Sequence, residues 1–332
     1  MIRMKIWVMA LLVMAGTVQA QEFKAQDTLL SGYDYPFAVN YIDVRTQGQT
    51  LKMAYMDVRP ATPNGKVALL MHGKNFGGYA WTDTIKALTL EGYRVIVPDQ
   101  IGFGKSDKPE HLQYSFQLLA RTTDDLLRSL GVGKVDLVGH SMGGMLATRF
   151  ALMYPQTVSK LVLVNPIGLE DWKTMLPTRD VDAWYEQELK QTPDSLRAYQ
   201  TKAYYDGNWK PEYDTLLAPQ AGWTLHAEYP RVAWNSALQY DMIWTQPVLY
   251  EFKNLTMPTL LIIGTRDRTA LGKDLASGPL ADKLGRYDRL GKMAARAIPG
   301  AKLVELPGVG HVPQIEAFEN YRKALMGFLI NR

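Results

Sequence analysis

The sequence predicts an α/β fold, a doubly wound and mostly parallel sheet that carries a helical cap insertion. Three observations predict it. Six short apolar runs alternate with longer segments of helical period along most of the chain, the rhythm of strands buried on both faces and joined by crossover helices. The 332 residues exceed one ordinary domain of ~150 residues and leave room for an insertion. Residues 170–253 then break the rhythm: they contain no strand-like run but hold six of the eight tryptophans and eight of the eighteen tyrosines.

The amino terminus is read separately. Residues 1–20 place Arg3 and Lys5 before a run that is nearly all apolar from Ile6 to Val18, and Val18-Gln19-Ala20 offers a small-x-small cleavage site. This is the layout of a secretory signal peptide. An apolar stretch of about 13 residues is short of the ~20 that a membrane-spanning helix needs. The expectation is an exported protein, periplasmic or secreted, with no stable membrane anchor once the leader is removed. Loss of Arg3 and Lys5 lowers the formal charge from +4 to +2.

The elements follow in order. Residues 36–58 hold two extended stretches around Gln47-Gly48-Gln49, an antiparallel hairpin on the sheet edge. The strand runs are Val67–Met71, Val95–Val97, Val135–Val138, Leu161–Val164, Leu260–Ile263 and Leu303–Leu306. Phe116, Leu119, Leu126, Leu127 and Leu130 recur at helical spacing before Gly131, and Ile315, Phe318, Tyr321, Leu325 and Phe328 repeat the pattern at the end. Parallel strands joined by right-handed crossovers give the doubly wound sheet. The expected division is a leader at 1–20, a core at 21–169 and 254–332, and a cap at 170–253. The aromatics of 170–253 suit both a cap over a pocket and a second helical core, because aromatic side chains pack as readily as they bind.

Composition narrows the chemistry. A hydrophobic fraction of 47% and a charged fraction of 21% exclude global disorder. The absence of cysteine excludes a disulfide scaffold, a cysteine zinc site, a thiol nucleophile and an iron–sulfur cluster. The small positive charge gives no argument for nucleic acid. The five histidines, at 72, 111, 140, 226 and 311, show no metal-binding spacing, and no metal or cofactor is expected. Gly104-Lys105-Ser106 imitates the end of a phosphate-binding loop, but Asp99 stands where that motif needs glycine.

One motif carries the function. Val135–Val138 runs into Gly139-His140-Ser141-Met142-Gly143 and then into a helical run. A serine at a strand-to-helix turn, flanked two residues away by glycines, is the layout of a nucleophile elbow. The turn leaves no room for side chains beside the serine, and the helix start behind it favours developing negative charge. Composition alone gives about 0.06 chance matches to G-x-S-x-G in such a chain.

With that elbow, three further stretches resemble the α/β-hydrolase superfamily. His72-Gly73-Lys74 after the strand at 67–71 is similar to the family's HG turn. Asp99-Gln100-Ile101-Gly102-Phe103-Gly104-Lys105-Ser106 resembles its D-x-x-G-x-G-x-S loop, and Gly308-Val309-Gly310-His311-Val312-Pro313 its G-H-x-P loop. The resemblance implies a Ser-Asp-His triad of Ser141 as nucleophile, His311 as general base and Asp267, just beyond the strand at 260–263, as the acid that orients the histidine. The family's other acid position, after the preceding strand, is Asn165 here. It further implies an oxyanion hole made by the backbone N–H groups of Lys74 and Met142, with Asn75 as fallback. His140 is expected to pack the elbow. The Lys74 side chain is expected to snorkel to solvent, the other reading being contact with an anionic substrate.

Gly104–Pro109 also resembles epoxide hydrolases and haloalkane dehalogenases, but those use an aspartate nucleophile, and serine would form a stable ether with their substrates. Acyl chemistry remains. The first expectation is a carboxylic ester hydrolase acting on a small or medium, partly apolar ester through an acyl-enzyme. A carbon–carbon hydrolase of dienol ring-fission ketones is the alternative. Such substrates carry a carboxylate, so Lys74 or Arg231 should then face the pocket. A non-catalytic ligand sensor on the same scaffold is the third.

Overall fold

Strand geometry follows from residues that suit a sheet buried on both faces. The computed structural model describes residues 22–330, so the expected leader at 1–20 lies outside the described residues. Eight strands form one sheet: β1 (Val39–Thr46), β2 (Gln49–Val58), β3 (Val67–Met71), β4 (Arg94–Pro98), β5 (Val135–His140), β6 (Val158–Val164), β7 (Thr259–Gly264) and β8 (Lys302–Leu306). Their spatial order is β1-β2-β4-β3-β5-β6-β7-β8. β1 and β2 pair antiparallel around Gln47-Gly48, and β2 continues antiparallel onto β4. Every other pairing is parallel. Both turn residues have positive φ, 47° and 75°, as a two-residue hairpin with the right twist requires.

Helices cover both faces. α1 (Thr82–Leu90), α2 (Phe116–Ser129) and α3 (Met142–Met153) occupy the first half. Between β6 and β7 lie α4 (Val181–Leu189), α5 (Pro193–Ala203), α6 (Glu212–Thr224) and α7 (Tyr229–Thr245). After β7 come α8 (Pro279–Lys283), α9 (Tyr287–Ala297), α10 (Pro313–Glu316) and α11 (Phe318–Leu329). The period-2 alternation of strands divides the core: Ala68 and Leu70 of β3 pack with Ile85, Leu88, Tyr321 and Leu325 from α1 and α11. Leu69 and Met71 pack on the opposite face with Leu119, Leu126, Phe150 and Leu290 from α2, α3 and α9.

Two differences from the sequence reading stand out. The apolar period from Ile315 to Phe328 predicts one helix, but the chain breaks at Ala317 (φ −136°) between α10 and α11. The break follows Glu316, whose carboxylate accepts from the Gly310 N–H at 2.6 Å and from the Arg266 guanidinium. The second is an arm that periodicity does not reveal. Gln26 N–H donates to Gly222 O at 2.9 Å, and the Trp223 indole donates to Asp27 O at 2.9 Å, so residues 22–38 begin along α6.

The topology already selects a location for chemistry. The order switches direction between β3 and β5, where Met71 pairs with Gly139. In open α/β sheets the crevice beyond the strand ends at such a switch is the usual ligand site.

Candidate active site

The loops that leave the carboxyl ends of β3, β5, β7 and β8 converge on Ser141. Its backbone sits at φ 56°, ψ −121°, immediately before α3, a conformation that side-chain-bearing residues seldom adopt. Glycine makes the turn possible. A Cβ on Gly139 would lie 2.2 Å from Gly143 O, and one on Gly143 would lie 2.2 Å from Met71 O. The elbow is therefore pressed directly against the end of β3.

Three sequence-predicted residues meet. Ser141 Oγ lies 2.9 Å from His311 Nε2, and His311 Nδ1 lies 2.6 Å from Asp267 Oδ2. A carboxylate can only accept, so Nδ1 carries the proton and Nε2 is left to accept from the serine hydroxyl. Asp267 and His311 are buried, at 0% and 1% exposure. Burial pushes its carboxyl upward, but His311, Thr269 and their hydrogen bonds outweigh it and hold the group below the usual aspartate range. Arg266 turns away to Glu316, while Arg268 donates to the Asp267 backbone carbonyl.

Asn165 belongs to this network, although the sequence marks it only as an occupied alternative acid position. Its amide donates to Asp267 Oδ2 at 2.9 Å, and its Oδ1 accepts from Gly264 N–H at 2.8 Å. Together with the Thr269 N–H, 2.8 Å from Oδ1, it gives the carboxylate two hydrogen bonds besides that from His311. The signal for this role is a polar residue one position past the buried run Leu161–Val164.

The HG turn lies beside the elbow. His72 Nε2 accepts from Gln100 N–H at 3.1 Å, tying β3 to the Asp99 loop. In that loop Asp99 accepts from Gly78 N–H, Lys105 N–H and the Tyr35 hydroxyl at 2.6, 2.8 and 2.7 Å. The backbone N–H groups of Lys74, Asn75 and Met142 donate to no other group among the described residues. His140 is 1% exposed and packs in the elbow, its Nε2 2.8 Å from His311 O. Burial, then the neighbouring His311, pushes its pKa down to about 3, so it is neutral at physiological pH.

Lys74 corrects an expectation. Its side chain does not reach outward to solvent but inward, where Nζ donates to Ser236 Oγ of α7 at 2.6 Å and lies 3.5 Å from the centroid of the Tyr240 ring. Arg231, by contrast, stays outside the cavity: it donates to Lys108 O at 2.9 Å and pairs with Glu110 at 3.3 Å.

A cavity of about 360 Å³ opens above the serine, lined by Ser141 and His311 on one side and by Trp184, Tyr199, Tyr204 and Tyr240 from the helices between β6 and β7 on the other. Trp184 stacks on Tyr240 at 4.8 Å, and Tyr204 stacks on the His311 ring at 4.9 Å. The Asn75 amide donates to the Tyr204 hydroxyl at 2.8 Å. The aromatics of this segment thus both pack and line the cavity. Among the described residues no cluster of three or more His, Cys, Asp or Glu side chains is placed to hold a metal ion.

The fold and this serine–histidine–aspartate geometry define a class that comparison with known proteins makes explicit. A family model described as alpha/beta hydrolase fold matches residues 67–318, and the chain belongs to that family. A solved structure of a probable hydrolytic enzyme from Pseudomonas aeruginosa PAO1 is similar at 54% identity and a TM-score of 0.91, covering 92% of this chain and 98% of that one. Lipase 1 of Psychrobacter immobilis is 27% identical, over 93% of this chain and 90% of its own length. A 2-hydroxy-6-oxo-6-phenylhexa-2,4-dienoate hydrolase of Burkholderia cepacia is 28% identical, over 80% of this chain and 88% of its own. The coarse activity these relatives support is that of a hydrolase.

Proposed function

We propose that the protein is a serine hydrolase of carboxylic esters, with Ser141 as nucleophile, His311 as general base and acid, and Asp267 orienting the imidazole. The observation that carries this is the continuous chain from Ser141 Oγ through His311 to Asp267, at 2.9 and 2.6 Å, on the floor of the cavity. His311 Nε2 takes the hydroxyl proton as Oγ bonds to the ester carbonyl carbon. The carbonyl π pair moves to oxygen, which the N–H groups of Lys74 and Met142 would receive. Collapse expels the alkoxide with the proton from His311. Water, deprotonated in turn by His311, then releases the acid and restores Ser141.

The ester reading is favoured over carbon–carbon cleavage by the electrostatics of the cavity wall. A dienol ketone carries a carboxylate that needs a partner, yet Arg231 lies outside the cavity, and Lys74, which does line it, is already joined through Ser236 to the Glu188 carboxylate. In this proposal residues 170–253 form the cap, the cavity's aromatic wall receives the apolar part of the ester, and the leader at 1–20 directs export. Hydrolysis of p-nitrophenyl esters of graded acyl length, beside a dienol ketone, tests it. Ester turnover by the wild type that vanishes in Ser141→Ala supports the reading; turnover of the ketone alone transfers it to carbon–carbon chemistry. Turnover that survives Ser141→Ala removes the nucleophile.

A further inference from the structure

The cavity wall contains three side chains with formal charge besides the histidine, and each is matched within the protein. Lys74 Nζ donates to Ser236 Oγ at 2.6 Å, and Ser236 Oγ in turn donates to Glu188 Oε2 of α4 at 2.5 Å. Asp274, the third, accepts from Arg179 Nη2 at 2.6 Å. Lys74 and Glu188 both line the cavity, so they are placed to meet substrate as well as each other. The remaining groups that face them are neutral: Tyr240, pushed well up by burial and then by Glu188, Tyr199, pushed up to about 12 by burial, and Tyr229, also raised by burial and then Glu188. Burial lowers Lys74 to about 8 while the Glu188 carboxylate opposes the shift, which leaves the ammonium charged at pH 7.

From this we infer that Glu188, acting through Ser236, cancels the charge of Lys74 and makes the cavity select esters whose acyl group is uncharged. The inference rests on the ester-hydrolase reading and adds to it the charge class of the substrate. The physical argument is the cost of an unmatched charge. A carboxylate brought beside Lys74 would also approach Glu188, and repulsion between like charges in a site of low dielectric offsets whatever the ammonium offers. A neutral acyl chain leaves the internal pairing intact and desolvates no charge of its own. Removing Glu188 should therefore open the site to anions, and removing Lys74 as well should close it again.

The test compares two isosteric substrates at pH 7: p-nitrophenyl 6-methylheptanoate, which is neutral, and p-nitrophenyl hemiadipate, which carries a carboxylate in place of the terminal isopropyl group. The quantity read is the ratio of kcat/KM for hemiadipate to that for the neutral ester. Wild type is expected to favour the neutral ester by at least about ten-fold. Glu188→Gln keeps an acceptor for Ser236 and should raise the ratio by about ten-fold or more, and Glu188→Gln with Lys74→Met should return it to near the wild-type value. A structural role for Glu188 would change both rates together and leave the ratio still. A wild type that favours hemiadipate, or a ratio unmoved in Glu188→Gln, overturns the inference while the ester reading stands. Failure of the wild type to cleave either ester overturns both.

Discussion

Ser141 is held in an unfavourable backbone conformation, at φ 56° and ψ −121°, and the cost of such a residue, ~1–3 kcal/mol, is tolerated because close packing on both sides admits no alternative. Gly143→Ala is the direct probe. Its Cβ would fall 2.2 Å from Met71 O, a backbone atom that cannot step aside. The variant should lose about 1–3 kcal/mol by chemical denaturation and most of its kcat, whereas retention of both would show the elbow to be slack. Asp267→Asn tests the orienting acid: kcat should fall by ~10⁴ on the precedent of other triads, and a near-normal rate would move that role elsewhere. At this scale the sequence was most legible. Ser141 and His311 sit in motifs whose glycines and prolines encode the turns, and Asp267 follows a strand end. For Asn165 the sequence offers only a polar residue just past a buried run, because its hydrogen-bond partners Asp267 and Gly264 lie about a hundred positions away. The inward turn of Lys74 was illegible for a related reason: its partners Ser236 and Glu188 lie 162 and 114 positions further along the chain.

The elements differ in how plainly they were written. Buried parallel strands are nearly pure apolar runs, so β3 falls on Val67–Met71 as read, and β4 to β8 extend their predicted runs by at most a few residues. The hairpin was visible from Gln47-Gly48 between alternating residues. The segment between β6 and β7 was legible in kind and not in detail. Its four helices owe their positions to packing, with Trp184 and Trp244 joining the main core and Tyr205 and Tyr213 joining a cluster with Phe76. Trp184, 2% exposed, has both roles, so Trp184→Ala should have two effects. Stability should drop by about 3–5 kcal/mol, as for other buried tryptophans, and the acyl-length optimum should move to longer esters as the cavity grows. A fall in stability with no change in the chain-length profile would make the residue a core residue alone.

For the whole molecule, buried neutral histidines couple stability to pH. His140 is pushed from its ordinary 6.5 to about 3, and burial lowers His72 as well. Between these values the unfolded chain binds a proton at position 140 and the folded chain does not. Stability therefore rises with pH across that window and is lost on acidification, by about 1.4 kcal/mol per pH unit for each such proton. Denaturant titrations between pH 4 and 6 should show this slope, reduced by one proton's worth in His140→Asn. An unchanged slope in the variant would place the proton uptake elsewhere. Below that range Asp267 adds to the effect, since its lowered carboxyl gives stability that is complete above the ordinary value of 3.8 and lost as pH falls through the folded one.

The central claim is that Ser141 is an activated nucleophile on the floor of the cavity. Treatment of the native protein with a fluorophosphonate, followed by mass analysis of its peptides, tests this most directly. One phosphonyl group should appear on the peptide that contains Ser141, and none on the Ser141→Ala protein. No adduct on the wild type, or an adduct of equal yield on the variant, would contradict it.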